Sequence, residues 1–366
     1  MDMVKWLLRY GLLSALLFSV NSRGEETPDN VSANKLVILN WAEYLDPELI
    51  DKFEKEFSTD ISEIYFESDE HRTQILIDNH ALGFDLILTS GINLEPYAHR
   101  GWIAPLSPDL IPNRAHINSK WLTAFPGAKE YGVPYFWGTT GILYRKDKIK
   151  YQITSWMNLF RPDPILKGKI GMFADGNEII SLALKALGYS LNEGSPEALA
   201  QTSALLSQQK EYVRSYQYLS LRRDSEILSG DLWMSIAYSG DALMVMEHDS
   251  HNRLNFTIPE EGTNLWVDYF TLGAKANRPD LAYAFINFLN RPDNAAQAAL
   301  YTYCATPNDS AKTLLPDDYL DNPIIFPDND VLMKSEQFRS IPPKQLKQRN
   351  LISNTLVNGG EHAPEF

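Results

Sequence analysis

With 366 residues, 44% of them hydrophobic and 22% charged, the chain has the composition of a folded globular protein and not of a disordered or fibrous one. Its length exceeds what one small core fills, so two domains are expected. Against 33 Lys and Arg stand 47 Asp and Glu, a net charge of −14, which argues against nucleic acid as a partner because phosphate binding wants a basic face. An acidic surface suits a cationic ligand, although solubility alone also accounts for it.

Lys5 and Arg9 precede an apolar run from Gly11 to Val20, and Val20-Asn21-Ser22 follows with small or modest residues. The run is about half of the ~20 residues a membrane span needs, so residues 1–22 read as a secretory signal peptide, leaving an exported, soluble chain. The sole cysteine, Cys304, rules out an intramolecular disulfide and reads as a buried thiol.

Residues 23–34 are polar. Leu36–Leu39 is a short apolar run typical of a buried strand. Asp46-Pro47 starts a helix, with Asp as cap and Pro in the first helical position, and Leu49, Ile50, Phe53 and Phe57 form its apolar face. Ile61–Phe66 alternates as a strand, Ser68 caps a second helix through Ile75 and Ile77, and Asp85–Leu88 is a third strand. This alternation predicts an α/β fold with a largely parallel sheet. Tyr131–Tyr144 is rich in Gly, Thr and aromatics and too apolar for a surface loop; it fits a long strand crossing between lobes. A second βα pattern follows, with a strand at Ile170–Phe173, a helix from about Glu178 to Leu187, and another opened by Ser195-Pro196. Pro279–Leu289 is amphipathic, with Leu281, Phe285, Phe288 and Leu289 on one face.

The usual enzyme signatures, whether phosphate loops, nucleophile elbows or His-Glu-x-x-His, do not occur. No catalytic residue and no cofactor is expected. Glu247-His248-Asp249-Ser250-His251 is a weak metal motif and reads as a polar turn, so no metal is expected either. What recurs is a pairing of aromatics with carboxylates. Trp41 and Tyr44 flank Glu43 after the first strand. Asp175 and Glu178 sit at a helix start, Tyr238 precedes Asp241, and Trp266 lies two residues from Asp268. Each pair alone has a structural explanation as core or cap. Together, at strand ends and helix starts, they mark the place where open α/β sheets bind ligands. Carboxylates and aromatic faces suit alkyl-ammonium groups, and flat apolar walls suit the methylenes between them.

Asn40-Trp41-Ala42-Glu43-Tyr44, Phe84-Asp85-Leu86-Ile87, Val133–Ile142, Ser155-Trp156, Ile258–Gly262 and Ile286–Asp293 occur in this order. As a set they resemble the periplasmic spermidine- and putrescine-binding proteins of bacterial polyamine ABC transporters, from about residue 35 to about 310, whereas the tail beyond Asn308 matches poorly. The resemblance implies a two-lobed periplasmic binding protein of type II with hinge-crossing strands. Its first lobe would be residues 33–141 plus 268–310, and its second 142–267 plus 311–366. It implies a monomer that holds a polyamine through Trp41, Tyr44, Ser90, Asp175, Glu178, Tyr238, Asp241, Trp266, Asp268 and Tyr303. The tyrosine is open to question: the spacing to Thr306-Pro307-Asn308 is one residue longer than in the family, which leaves Tyr301 and Cys304 as alternatives. Ile92 stands where spermidine binders carry a tyrosine, and Gln337 is the candidate for a late family glutamine. Two roles follow from the resemblance. One is delivery of the ligand to an inner-membrane ABC permease. The other is polyamine sensing through a membrane-bound cyclic-di-GMP enzyme that governs biofilm formation.

Overall fold

A computed structural model describes residues 34–357; the expected signal peptide at 1–22 lies outside the described residues. Ten strands occur among them: β1 (Lys35–Trp41), β2 (Asp60–Phe66), β3 (Leu86–Ser90), β4 (Ile103–Ala104), β5 (Gly132–Arg145), β6 (Ile170–Met172), β7 (Val213–Tyr216), β8 (Met234–Tyr238), β9 (Leu254–Thr257) and β10 (Leu265–Gly273). They join in the order β2-β1-β3-β10-β5-β8-β6-β7, with β4 beside β10 and β9 beside β5.

The first βαβ units form as the pattern predicts. β1 pairs in parallel with β2 and β3. Between β1 and β2, the helix Pro47–Phe57 is capped by the Asp46 carboxylate, which accepts from Glu48 N at 2.9 Å. Losing such a cap costs about 1 kcal/mol. Phe53 on its inner face is fully buried and meets Phe57, Phe285 and Phe288 at ring separations of 4.4, 4.9 and 5.3 Å. Burying one such ring contributes roughly 1.5–3 kcal/mol.

The sheet is mixed rather than largely parallel. β6 pairs in parallel with β7 and β8, but β10 runs antiparallel to both β3 and β5. The reason is that β5 and β10 pass directly between the two halves, one leaving and one returning, without a crossover helix to restore direction. All 14 residues of β5 are buried. Its first half, to Thr139, pairs with β10; its second half, from Thr140, pairs with β8 and β9.

The hydrophobic cores divide at the same point. One contains the buried side chains from Leu36 to Trp137 and from Val267 to Ile325. Two others start at Ile142 and Leu143, the larger being built around the helices Gly176–Ala186 and Pro196–Gln209. The tail is shared between them. Ala311, Leu315, Tyr319 and Ile325 are buried in the first core, with the Tyr319 hydroxyl donating to Ala299 O and Cys304 O. Ile352 and Leu356, on the helix Pro343–Val357, complete the second. The tail crosses at Glu336, which bridges to Asn264 and pairs with Lys185 at 2.7 Å. The expected assignment of all of 311–366 to the second half therefore differs from the packing, because the apolar side chains before residue 326 are buried against the helix Pro292–Thr302 and its neighbours. Among the described residues, no helix is long and apolar enough to cross a membrane.

Candidate functional site

β10 carries Asp268 into the sheet between Ser90 on β3 and Phe136 on β5. Asp268 is 8% exposed and accepts a hydrogen bond from the Tyr44 hydroxyl at 3.0 Å. Burial pushes its carboxyl up to about 7; the Asp69 charge adds to this, while Arg72 and the Tyr44 bond oppose it. Tyr44 stands edge-on to Tyr135 and Phe136. Ser90 donates to Asp69 at 2.5 Å and accepts from Arg72 at 3.3 Å, so its hydroxyl is held within the first half.

On the opposite side, Asp175 caps the helix Gly176–Ala186 by accepting from Asn177 N and Glu178 N at 2.8 and 3.1 Å. The same cap aims Glu178 inward. Glu178 accepts from the Tyr238 hydroxyl at 2.8 Å, from Thr140 Oγ1 at 3.3 Å and from Asn264 Nδ2 at 3.5 Å. Burial, then Asp175, raises Glu178 to about 8; burial, then Glu70, raises Asp175 to about 7. Asp241, in the first turn of the helix Ser239–Glu247, rises to about 7 through burial. Asp175 and Asp241 remain partly exposed, so water moderates the shift there more than at Glu178 and Asp268.

Aromatic rings connect the two sides. Trp41 meets Tyr218 across the division at 6.3 Å, Tyr218 stacks on Tyr238 at 6.2 Å and 20°, and Tyr238 meets Trp266 edge-on at 6.0 Å. Phe173 backs both tyrosines. Trp266 lies flat on the strand below because Gly138 has no side chain: a Cβ there would sit 2.4 Å from the indole ring. The buried Trp266 Nε1 has no hydrogen-bond partner among the described residues.

Eight of the ten expected residues thus belong to one connected constellation, with Ser90 engaged through Asp69, and Asp241 adjoins it through Cys304. Tyr303 is the exception. It ends the helix Pro292–Thr302 in a left-handed conformation (φ 54°), and its acidic neighbour is Glu247. The adjacent Cys304 is 4% exposed, and its thiol is pushed up by burial and then by Asp241 and Asp268, with Tyr44 opposing. Tyr301 donates to Glu43 instead. Ile92 packs against the first core, and Gln337 accepts from Asn192 through its backbone. Tyr218, Asp69, Arg72 and Asn264 were not singled out from sequence. Tyr218 was within reach, since it lies just beyond the carboxyl end of a strand; the others depend on contacts between segments far apart in the chain. The Glu247–His251 turn is stabilised by Asp249, which accepts from Arg253 Nε and Leu254 N at 2.8 Å each.

Two α/β lobes sharing one mixed sheet, crossed by β5 and β10, with carboxylates and aromatic rings brought together where they join, define a solute-binding protein. The chain matches the bacterial extracellular solute-binding protein family over residues 48–327 and belongs to that family. It is similar to the norspermidine sensor of Vibrio cholerae serotype O1, 27% identical over 333 residues that cover 91% of each chain. It is also similar to the spermidine/putrescine-binding periplasmic protein of Escherichia coli, 28% identical over 91% of this chain and 93% of that one. Among solved structures it resembles the spermidine/putrescine ABC transporter substrate-binding protein PotD of Streptococcus pneumoniae, with TM-score 0.74 and 27% identity over 87% of this chain and 97% of that one.

Proposed function

We propose that the chain is a periplasmic receptor for a small polyamine of the spermidine, norspermidine or putrescine class, which closes on its ligand and presents it to an inner-membrane ABC permease. One observation carries this reading: where the two halves join, buried carboxyls meet phenols, Asp268 with Tyr44 and Glu178 with Tyr238, and a chain of rings from Trp41 through Tyr218 and Tyr238 to Trp266 runs beside them, while desolvation holds Asp175, Glu178, Asp241 and Asp268 above the usual carboxylate range. Ammonium groups restore their charge at the cost of the protons. An ammonium over an aromatic face gains roughly 2 kcal/mol when desolvated, and a charged hydrogen bond about 1.5–3. The names of the similar proteins point to the same ligand class.

The core division supports a first lobe of residues 35–139 plus 265–325 and a second of 140–264 plus the tail from 336. Residues 1–22 direct export, and the protein acts as a monomer without enzymatic activity. Trp41, Tyr44, Asp175, Glu178, Tyr238, Asp241, Trp266 and Asp268 hold the ligand, and Cys304 takes the place expected for Tyr303.

Calorimetry on ligand-stripped protein should show binding of a di- or triamine at roughly micromolar Kd, with a matching rise in melting temperature. Binding of amino acids or sugars without any polyamine would sink the reading. The similarity to a norspermidine sensor supports a second role, signalling to a membrane-bound cyclic-di-GMP enzyme. Deleting the gene decides between them. Loss of radiolabelled polyamine uptake supports delivery; intact uptake with an altered biofilm response to polyamine supports sensing.

A further inference from the structure

A fully buried guanidinium lies beside this cleft of carboxylates. Arg72, on the helix Asp69–Asp78, is 0% exposed. Its carbon centre lies 4.9 Å from the Phe66 ring centroid and 5.5 Å from that of Tyr97. Nη1 pairs with Asp69 Oδ1 at 2.9 Å, Nη2 donates to Ser90 Oγ at 3.3 Å, and Nε donates to the Tyr97 hydroxyl at 3.2 Å. The second Asp69 oxygen accepts from Ser90 Oγ at 2.5 Å and from Asn93 Nδ2 at 2.6 Å. Both oxygens of this carboxylate are therefore committed within the protein. Ser90 in turn sits opposite Asp268 in the strand register, so the cluster adjoins the central carboxylate of the site. A cation between aromatic faces, with a carboxylate at its edge, is the environment that the cleft offers an ammonium group.

We propose that Arg72 is a resident cation at the first-lobe end of the cleft, standing where a further ligand ammonium would otherwise be held, and that it biases the site towards amines of lower charge. The proposal rests on the polyamine reading above. Burial works against the Arg72 charge, and Asp69 and Tyr97 together more than offset it, so the guanidinium stays protonated at any physiological pH. A buried pair of this kind is an expensive way to gain stability, since an apolar side chain would fill the space between Phe66 and Tyr97 without desolvating a charge. The retained charge acts on the ligand instead, because the repulsion it exerts grows with each positive charge the ligand brings.

The test is calorimetric titration of the full chain with spermidine and with putrescine. Arg72→Met should raise the ratio of triamine to diamine affinity roughly tenfold, because the extra ammonium no longer faces a fixed positive charge. Arg72→Lys, which keeps the charge and loses the fork, should leave the ratio near that of the wild type. Asp69→Asn should move it the other way, by unbalancing the guanidinium, and carries the test alone should Arg72→Met fail to fold. A purely structural role predicts equal weakening of both amines in every variant, and that result overturns the proposal. If the wild-type protein binds neither amine, the polyamine reading itself falls, and this inference with it.

Discussion

The two sides of the cleft treat their carboxylates differently. On the first-lobe side, Asp69 has a cation, and that same cation helps Asp268 to ionise. On the second-lobe side, Asp175 and Glu178 receive only neutral donors: two backbone N–H groups, a phenol, a hydroxyl and an amide. Those donors oppose the desolvation but do not cancel it, and the two groups stay at about 7 and 8. The first lobe is thus partly balanced before any ligand arrives, whereas the second needs a cation from outside. A ligand charged along its length meets both conditions at once, which ties binding to closure.

The largest effects should come from removing what both sides share. Trp266→Ala deletes a wall and a cation–π face together and should weaken polyamine binding by about 2–4 kcal/mol or more. Asp268→Asn should cost about 2–4 kcal/mol by removing the charge that faces an amine. Wild-type affinity in both variants would mean that the ligand binds elsewhere. Glu178→Gln sharpens the contrast between the lobes. It should weaken binding comparably, yet raise the melting temperature of the unliganded protein above neutral pH, because a buried charge without a cation is removed. A melting temperature that falls as much as in Asp268→Asn would erase the difference between the sides.

Protonation gives the next effect. Carboxyls that stand higher in the folded protein than unfolded make the native state the stronger proton binder. Stability of the unliganded protein should therefore fall as pH rises from about 4 towards about 8 and then level off. An ammonium ligand must displace these protons, so affinity should climb between about pH 6 and 8, with proton release on binding. Titrations at pH 6.5 in buffers of different ionisation enthalpy measure that release. Proton uptake, or none, would contradict the placing of ammonium groups at these carboxyls.

A smaller loss is expected at Gly138. It lies at the crossing point of the lobes and allows Trp266 to rest against the strand. Gly138→Ala forces a few tenths of an ångström to more than half an ångström of movement on the ring or on Ser239, and overpacking of this kind costs about 1–3 kcal/mol. Affinity should drop while the far-ultraviolet circular dichroism stays unchanged. Unchanged affinity would show that the ring position is not set by this contact.

Much of this was legible in the sequence because it is local. The Asp46 and Asp175 caps, the apolar run of β1 and the long buried strand from Gly132 all follow from neighbouring residues. The carboxylates and aromatics were legible as near neighbours, but their partners were not: Tyr44 meets Asp268 and Tyr238 meets Glu178, each from a distant segment. The antiparallel return of β10, the sharing of the tail between cores and the Arg72–Asp69–Ser90 cluster were not. They depend on which distant segments meet, and no spacing along the chain encodes that. The spacing left Tyr301, Tyr303 and Cys304 open; the left-handed Tyr303 at the end of the helix turns the chain there, and Cys304 is the one buried beside Tyr44, Asp241 and Asp268.

That turn supplies the smallest predicted effect. Tyr303→Phe removes a hydroxyl whose acidic neighbour is Glu247 and not Asp268, so polyamine affinity should change by less than about twofold, within the range of substitutions away from a site. Cys304→Ala, one position on, removes a buried side chain next to Tyr44, Asp241 and Asp268. It leaves a gap against Gly240, whose backbone approaches the sulfur closely enough that a Cβ there would lie 2.7 Å from it. The loosened Tyr44 then holds Asp268 less well, and affinity should fall by about threefold to tenfold. If calorimetry ranks the two the other way, with Tyr303→Phe the more damaging, the Tyr303 hydroxyl reaches the ligand in the closed state, and the inward-facing position belongs to Tyr303 after all.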